Sequence, residues 1–230
     1  MKVYEIKLKL VLLNDIKLND VQIEICNIID SFLAKDEKWL EFHKDNKFKN
    51  YCFNSFYPLE EDKIYKKDKV YSLIIRTIDK DLAEYFNENL HNSNNDMIRC
   101  LTSNIRIIPK KHIEKIYSIT PIVIKTDNGY WKDILSLKEF EERIKINLIK
   151  KYNEINNTKI NEDFDFYTNL EFKNKKPCSI NYKNVKLLGD KISLNISDDK
   201  ISQKLAYMAL GTGIGEMNSR GLGMVNFRYL

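Results

Sequence analysis

Apolar and charged residues alternate near the start of the chain, with Tyr4, Ile6, Leu8, Leu10 and Leu12 on one face and Glu5, Lys7 and Lys9 on the other. Period two over that length predicts a strand with one buried face. After Asn14-Asp15 the period changes. Val21, Ile25, Ile28, Ile29 and Phe32 form the stripe of an amphipathic helix, with Asn19 or Asp20 placed to cap it. Residues 35–48 are charged, aromatic and irregular, which predicts a loop. Strand patterns follow at 49–57 and 69–78, then a helix at 80–90 and a strand at 99–109.

That order, β-α-β-β-α-β, is the split βαβ or ferredoxin-like pattern. The second half repeats it in element order, not in residues. A strand pattern covers 113–125, and Leu137, Phe140, Ile144 and Leu148 mark a helix within 136–155. Further strands are expected near 164–173, 179–188 and 191–197. Ile201, Leu205, Met208 and Ala209 mark a helix over 199–210, with Asp198 or Asp199 at its start, and MVNFRYL closes the chain as a strand. The fold class predicted is α+β, two tandem ferredoxin-like domains at 1–110 and 111–230 joined near Pro109-Lys110-Lys111-His112. A single larger α+β domain is the alternative.

Composition narrows the function classes only a little. Hydrophobic residues make up 43% of the 230, enough for a folded core. A net charge of +5 permits an anionic partner without demanding one. Cys26, Cys52, Cys100 and Cys178 are scattered among apolar neighbours, the pattern of buried, reduced thiols. The charged N-terminal strand is not a signal peptide, and no apolar run approaches the ~20 residues of a membrane span. A soluble, cytoplasmic protein is expected.

Five of the seven glycines lie in the last twenty residues, GTGIGEMNSRGLGMVNFRYL. Gly211 suits a helix C-cap, which accounts for one of them. A dinucleotide fingerprint needs a strand before the glycines and a helix after them, the reverse of the order here. No Gly-Lys-Ser/Thr closes a phosphate loop either. What remains is a loop whose amides, with Asn218, Ser219 and Arg220, could meet a sugar-phosphate backbone.

Gly213, Gly215, Gly221, Leu222, Gly223, Met224 and Val225 match a G-x-G, polar insert, G-hydrophobic-G, hydrophobic-strand pattern. In this the chain resembles the CRISPR repeat-processing endoribonucleases of the RAMP superfamily, whose members are built as two ferredoxin-like domains in tandem. The resemblance spans essentially the whole chain. It implies that the loop residues Gly213, Gly215, Asn218, Ser219, Arg220, Gly221 and Gly223 contact RNA.

Carboxylates clustered for Mg²⁺ are wanting. The best group, Glu162-Asp163-Phe164-Asp165, reads as the solvated start of a strand, and the histidines are distant from one another. No metal and no cofactor are expected. Cutting would then use the RNA's own 2′-hydroxyl, which requires a base near neutral pKa, a cation at the phosphate and a proton donor for the 5′-oxygen. His43, His91 and His112 are the histidines available. His91 reads as a helix-end residue and His112 as part of the linker.

His43 lies in EFHKDNKFKNYCFNSFYP, among Lys44, Lys47 and Lys49, a basic and aromatic composition suited to RNA. The nuclease family is similar here too: a histidine after the first helix, then a lysine opening a K-x-aromatic-x-aromatic strand. The resemblance implies His43 as general base or acid and Lys49 as the phosphate-stabilising cation, with Lys44 and Lys47 contacting RNA. Some family members also place a tyrosine in the first helix, and this helix has none. Tyr51 or Tyr57 can substitute, with Tyr51 carried as the third catalytic residue, or the acid role falls to Lys44 or Lys47. Lys110, Lys111, Lys115, Lys173, Lys175, Lys176 and Arg228 could extend an RNA track.

The partners implied are CRISPR repeat RNA, as precursor and processed guide, and other CRISPR-associated effector subunits. A homodimer is compatible, and no membrane partner is expected. Competing readings are a non-catalytic repeat-RNA-binding subunit and a small-ligand regulatory domain.

Overall fold

A computed structural model describes residues 1–90, 94–127, 129–182 and 185–230. The first half runs β1 (Val3–Leu12), β2 (Ile16–Lys17), α1 (Val21–Leu33), α2 (Glu37–Lys44), β3 (Tyr51–Phe53), β4 (Ile64–Tyr65), β5 (Val70–Thr77), α3 (Lys80–Asn89) and β6 (Ile98–Ile108). The second continues with β7 (Ile113–Ser118), α4 (Leu137–Asn156), β8 (Tyr167–Phe172), β9 (Cys178–Tyr182), β10 (Val185–Gly189), β11 (Ile192–Ile196), α5 (Lys200–Thr212) and β12 (Val225–Tyr229). One sheet has the order β3-β5-β1-β6 and the other β12-β7-β11-β8. Each half therefore repeats the same ferredoxin-like arrangement, its first and third strands central and antiparallel, as the element order predicts.

Each sheet buries one face under its own helices. Ile6, Leu8 and Leu10 of β1 pack with Ile25, Ile29 and Phe32 of α1 and Phe86 of α3. In the second core, Ile116 and Leu194 meet Phe140, Ile144 and Leu148 of α4 and Leu205 and Met208 of α5. Each such side chain contributes roughly 1.5–3 kcal/mol on burial. Helix α5 also binds the halves together. Its Tyr207 hydroxyl accepts from the Val3 amide at 3.2 Å and donates to the Ile108 carbonyl at 2.7 Å. A Cβ on its Gly211 would stand 3.2 Å from Val3 Cγ1 and 2.8 Å from Ile78 Cγ2, so the helix rests close against the first half.

The structure corrects several expectations. Residues 35–48 are not all loop, because α2 occupies Glu37–Lys44 and places His43 in a helical last turn. Asp36 caps it by accepting from the Trp39 amide, and Trp39 anchors it against Phe42 and Tyr85. A helix this short, held by one buried aromatic, leaves too brief a stripe to read as periodicity. The pattern at 49–57 yields only three residues of strand, and that at 113–125 stops at Ser118. Where one strand was expected over 179–188, β9 and β10 pair antiparallel as a separate two-stranded sheet.

Asp20 precedes α1 without a side-chain cap, bonding Asn181 instead, whereas Asp199 caps α5 through the Ile201 and Ser202 amides. Glu5, expected on the solvent face of β1, is 4% exposed and paired with Arg76 and Arg106, because Arg76 closes over it. Arg76 in turn donates to the Val225 carbonyl of β12 at 2.7 Å. His91 lies outside the described residues. No helix among the described residues is long and apolar enough to cross a membrane.

Candidate active site at the junction of the two halves

Beyond α5 the chain turns back on itself. Gly213, Gly215, Gly221 and Gly223 all take positive φ, from +67° to +78°, where a side chain would strain the backbone. At Gly223 space is closed as well, since a Cβ would stand 1.9 Å from the Ile214 carbonyl oxygen. The Ile214 amide donates to the Gly223 carbonyl at 2.8 Å and shuts the loop.

Lys151 of α4 pins that loop from beneath. It is 2% exposed, and its ammonium donates to the carbonyls of Gly213 (3.1 Å) and Gly215 (3.2 Å) and to Asn218 Oδ1 (2.6 Å). Burial pulls its pKa down to about 7, with the negative charges available at Cys52 and Glu216 opposing. Three oxygens for three N–H groups is the geometry that holds an ammonium. Asn218 Nδ2 completes the staple by donating to the Ile214 and Leu222 carbonyls, at 3.0 and 2.9 Å.

The glycine loop is therefore organised by contacts within the protein. Asn218 is buried with its amide engaged inside the protein, so it organises the loop. The amides of Gly213, Gly221 and Gly223 are bonded to Ala209, Asn218 and Pro121 carbonyls. Positive φ and tight closure require glycine at these positions. Only the loop's outer part is partly exposed, at Glu216, Met217, Ser219 and Arg220.

Arg220 crosses to the first half, where its Nη1 meets Asp30 Oδ2 of α1 at 2.5 Å. The other oxygen of Asp30 stands 3.6 Å from His43 Nδ1. The Arg220 pKa is raised: Asp30 bonds and attracts it, against the opposing effect of burial. His43 is partly buried in the last turn of α2. Lys49 returns to the end of the same helix, donating to the Phe42 and Asp45 carbonyls with its ammonium 5.0 Å from the Phe42 ring centre. Burial lowers the Lys49 pKa, Asp45 opposes, and Arg220 and Lys47 add to the lowering. Lys44 and Lys47 are exposed, Lys47 pairing with Asp45 at 3.0 Å.

Tyr51 does not sit in the open with them. It is 1% exposed, its hydroxyl only 3.5 Å from the Ser219 carbonyl, and burial followed by the Asp30 charge drives its pKa upward. A phenol so placed packs under the site and is a poor proton donor to a substrate. Tyr57 is exposed but bridges Ser72, five residues along β5 from Tyr51's partner Thr77, about 17 Å away. Elsewhere His112 pairs with Asp198 at 2.9 Å, Arg228 with Glu114 and Lys173 with Glu171.

A cleft of about 200 Å³ opens between these segments. Lys47, Lys49, Asn50 and Tyr51 line one side, and Lys125, Asn147, Glu216 and Ser219 the other. His43 stands outside that lining, beside it through Lys49. Among the described residues no three His, Cys, Asp or Glu side chains gather as metal ligands.

Asp30 and Lys151 escaped the sequence reading, though both carried a signal. Asp30 is an acid in the last turn of a helix, against the dipole, which implies a cationic partner from elsewhere. Lys151 falls eleven residues after Phe140, on the buried stripe that continues through Ile144 and Leu148.

The model of the family "CRISPR associated protein Cas6, C-terminal" matches residues 106–227. A relative from Methanocaldococcus jannaschii, "CRISPR-associated endoribonuclease Cas6 2", is 25% identical, covering 84% of this chain and 87% of its own. A solved structure titled "CRISPR associated protein Cas6" superposes with a TM-score of 0.74 at 22% identity, over 98% of this chain and 99% of that one. A Cas6-related protein from Pyrococcus furiosus does so with a TM-score of 0.72 at 20% identity, over 98% of each chain. The tandem fold is common to these structures, and since the family model covers more than half of the chain, the protein belongs to the Cas6 family of CRISPR-associated proteins.

Proposed function

We propose that this protein is an endoribonuclease that cuts CRISPR repeat RNA within precursor transcripts, using the RNA's own 2′-hydroxyl and no metal. The observation that carries the reading is the convergence of His43 and Lys49 on one helix end at the lip of a lysine-lined cleft. The relative named an endoribonuclease supports it. His43 takes the proton from the 2′-hydroxyl, whose oxygen attacks the adjacent phosphorus. The phosphorus–5′-oxygen bond breaks, leaving a 2′,3′-cyclic phosphate and a 5′-hydroxyl. Lys49 stabilises the charge on the phosphate through the ammonium N–H that its two carbonyl partners leave over. Because Tyr51 is buried, the proton for the 5′-oxygen comes from Lys47, which shares the cleft wall.

One observation favours a second reading, binding without cutting: His43 is not among the groups lining the cleft. Incubation with repeat RNA in EDTA separates the two. Cleavage is expected for all-ribose RNA, and binding alone for RNA with a single 2′-deoxy at the cut site. His43→Ala should lower the single-turnover rate by roughly 10²–10⁴. A Mg²⁺ requirement, or a His43→Ala variant of wild-type rate, overturns the mechanism.

A further inference from the structure

We infer that Asp30 and Arg220 are positioning residues: Asp30 orients the His43 ring, and Arg220, delivered by the glycine loop of the other half, holds Asp30 in place. The inference rests on the reading of His43 as the catalytic base. It stands on the two oxygens of one carboxylate. Oδ2 is taken by Arg220 at 2.5 Å. Oδ1 is buried, has no hydrogen-bond partner, and lies 3.6 Å from His43 Nδ1. A carboxylate oxygen left in that state has lost its water without gaining a donor, which is unfavourable. A movement of a few tenths of an ångström closes it onto the ring, the kind of tightening that substrate binding brings.

The consequence for chemistry follows from the two ring nitrogens. A carboxylate oxygen can only accept, so Nδ1 must carry the proton that faces Asp30. The Nε2 lone pair is then left to face the RNA, the state a general base needs. The remaining titratable neighbours do not compete for Nδ1 as acceptors. Cys26 of α1 is held neutral, its pKa pushed up to about 11 by burial, and Tyr51 of β3 is buried and neutral. Lys49 is turned to the end of α2, Lys44 on the ring's own helix is exposed, and Arg220 is a cation.

Arg220 is fixed by more than its own ion pair. The carbonyl of Gly221 accepts from Gln22 Nε2 at 2.9 Å, so the loop grips α1 at two points about two turns apart. A Cβ on Gly221 would stand 2.5 Å from the Phe53 ring and 2.8 Å from Gln22 Nε2, so that grip needs glycine. Beneath, Lys151 and Asn218 hold the turn that presents Arg220. The glycine loop thus reaches the reacting atoms through a carboxylate and an imidazole. In this arrangement Arg220 is a tie between the halves, not a phosphate contact.

The substitution Asp30→Asn tests this with little change of shape. The guanidinium only donates, so it keeps the Asn oxygen and turns the Asn NH₂ toward His43, forcing the ring to accept at Nδ1. ¹⁵N NMR of the RNA-free protein should find the neutral wild-type ring protonated on Nδ1 and the Asp30→Asn ring on Nε2. Single-turnover cleavage should fall by about 10² or more, while affinity for 2′-deoxy repeat RNA stays within about twofold.

Arg220→Met should lose about tenfold or more in rate, also without a change in affinity, and Arg220→Lys should recover part of it. A ring tautomer indifferent to Asp30→Asn overturns the positioning, even if the variant is unstable and slow. So does an Arg220→Met variant that binds RNA more weakly, with a shallower salt slope, yet cleaves bound RNA at the wild-type rate. A wild type that cuts no repeat RNA overturns the reading of His43 instead, and the tautomer measurement tells the two failures apart.

Discussion

Residues 43–51 reach the cleft through side chains, whereas residues 213–223 come to it as folded backbone. The first segment holds no glycine and carries exposed or partly exposed lysines. Its order comes from one cation, Lys49, turned back onto the helix end it follows. The second holds four glycines at positive φ and a buried lysine and asparagine that satisfy its carbonyls. Only its outer turn contributes side chains, and the one of consequence, Arg220, is directed at the first segment's histidine through Asp30. A glycine-rich stretch is thus a device for tight closure here, and the histidine and lysine proposed for the chemistry lie in the glycine-free stretch opposite.

The largest effect expected from disturbing this contrast is at Gly223. Gly223→Ala places a methyl 1.9 Å from a backbone oxygen at a φ of +67°, so either the loop or the turn beneath it must open. Destabilisation of roughly 3 kcal/mol or more is expected in urea unfolding. A loss under 1 kcal/mol would show the loop to be pliable and able to rearrange around a ligand.

Next is the pH dependence set by Lys151. Its pKa is about 7 in the folded chain, against 10.5 for free lysine. Between these values the unfolded chain keeps a proton that the folded chain has released, so stability rises with pH, by up to about 1.4 kcal/mol per unit. Lys151→Met lacks that slope. The difference in unfolding free energy should therefore move in favour of the wild type as pH goes from 7 toward 10. Parallel pH profiles would mean that the three oxygens keep the ammonium charged throughout.

The smallest effect belongs to the exposed side of the contrast. Lys47→Ala should leave stability unchanged and reduce the salt slope of RNA binding by about 0.7. An unchanged slope would remove Lys47 from the RNA path and with it the proposed proton donor.

Much of the element order was legible because burial on one face writes a period into the residues. β1 was placed by alternation, α1, α4 and α5 by a helical stripe, and β5 by its run of β-branched and apolar residues. Helix α2 was not, since Trp39 is its one buried residue. Glu5 was misplaced for a different reason: alternation along β1 says which face it is on, but not that Arg76, itself bound to β12, closes over it at one end of that face. In the candidate site, His43 and Lys49 were singled out by resemblance to a family pattern carried by a short stretch of chain. Asp30 and Lys151 were not, because their partners lie 190 and 62 residues away along the chain.

Local sequence by itself determined the two βαββαβ runs and the glycines that allow the last turn. Such features depend on a few neighbouring side chains and on backbone sterics, which act over one or two turns of chain. Only the tertiary structure decided what those glycines are for, which tyrosine is buried, and which carboxylate stands between Arg220 and His43. Each of these is a contact between halves, and the free energy of an ion pair or a buried polar atom is set by whatever is brought beside it.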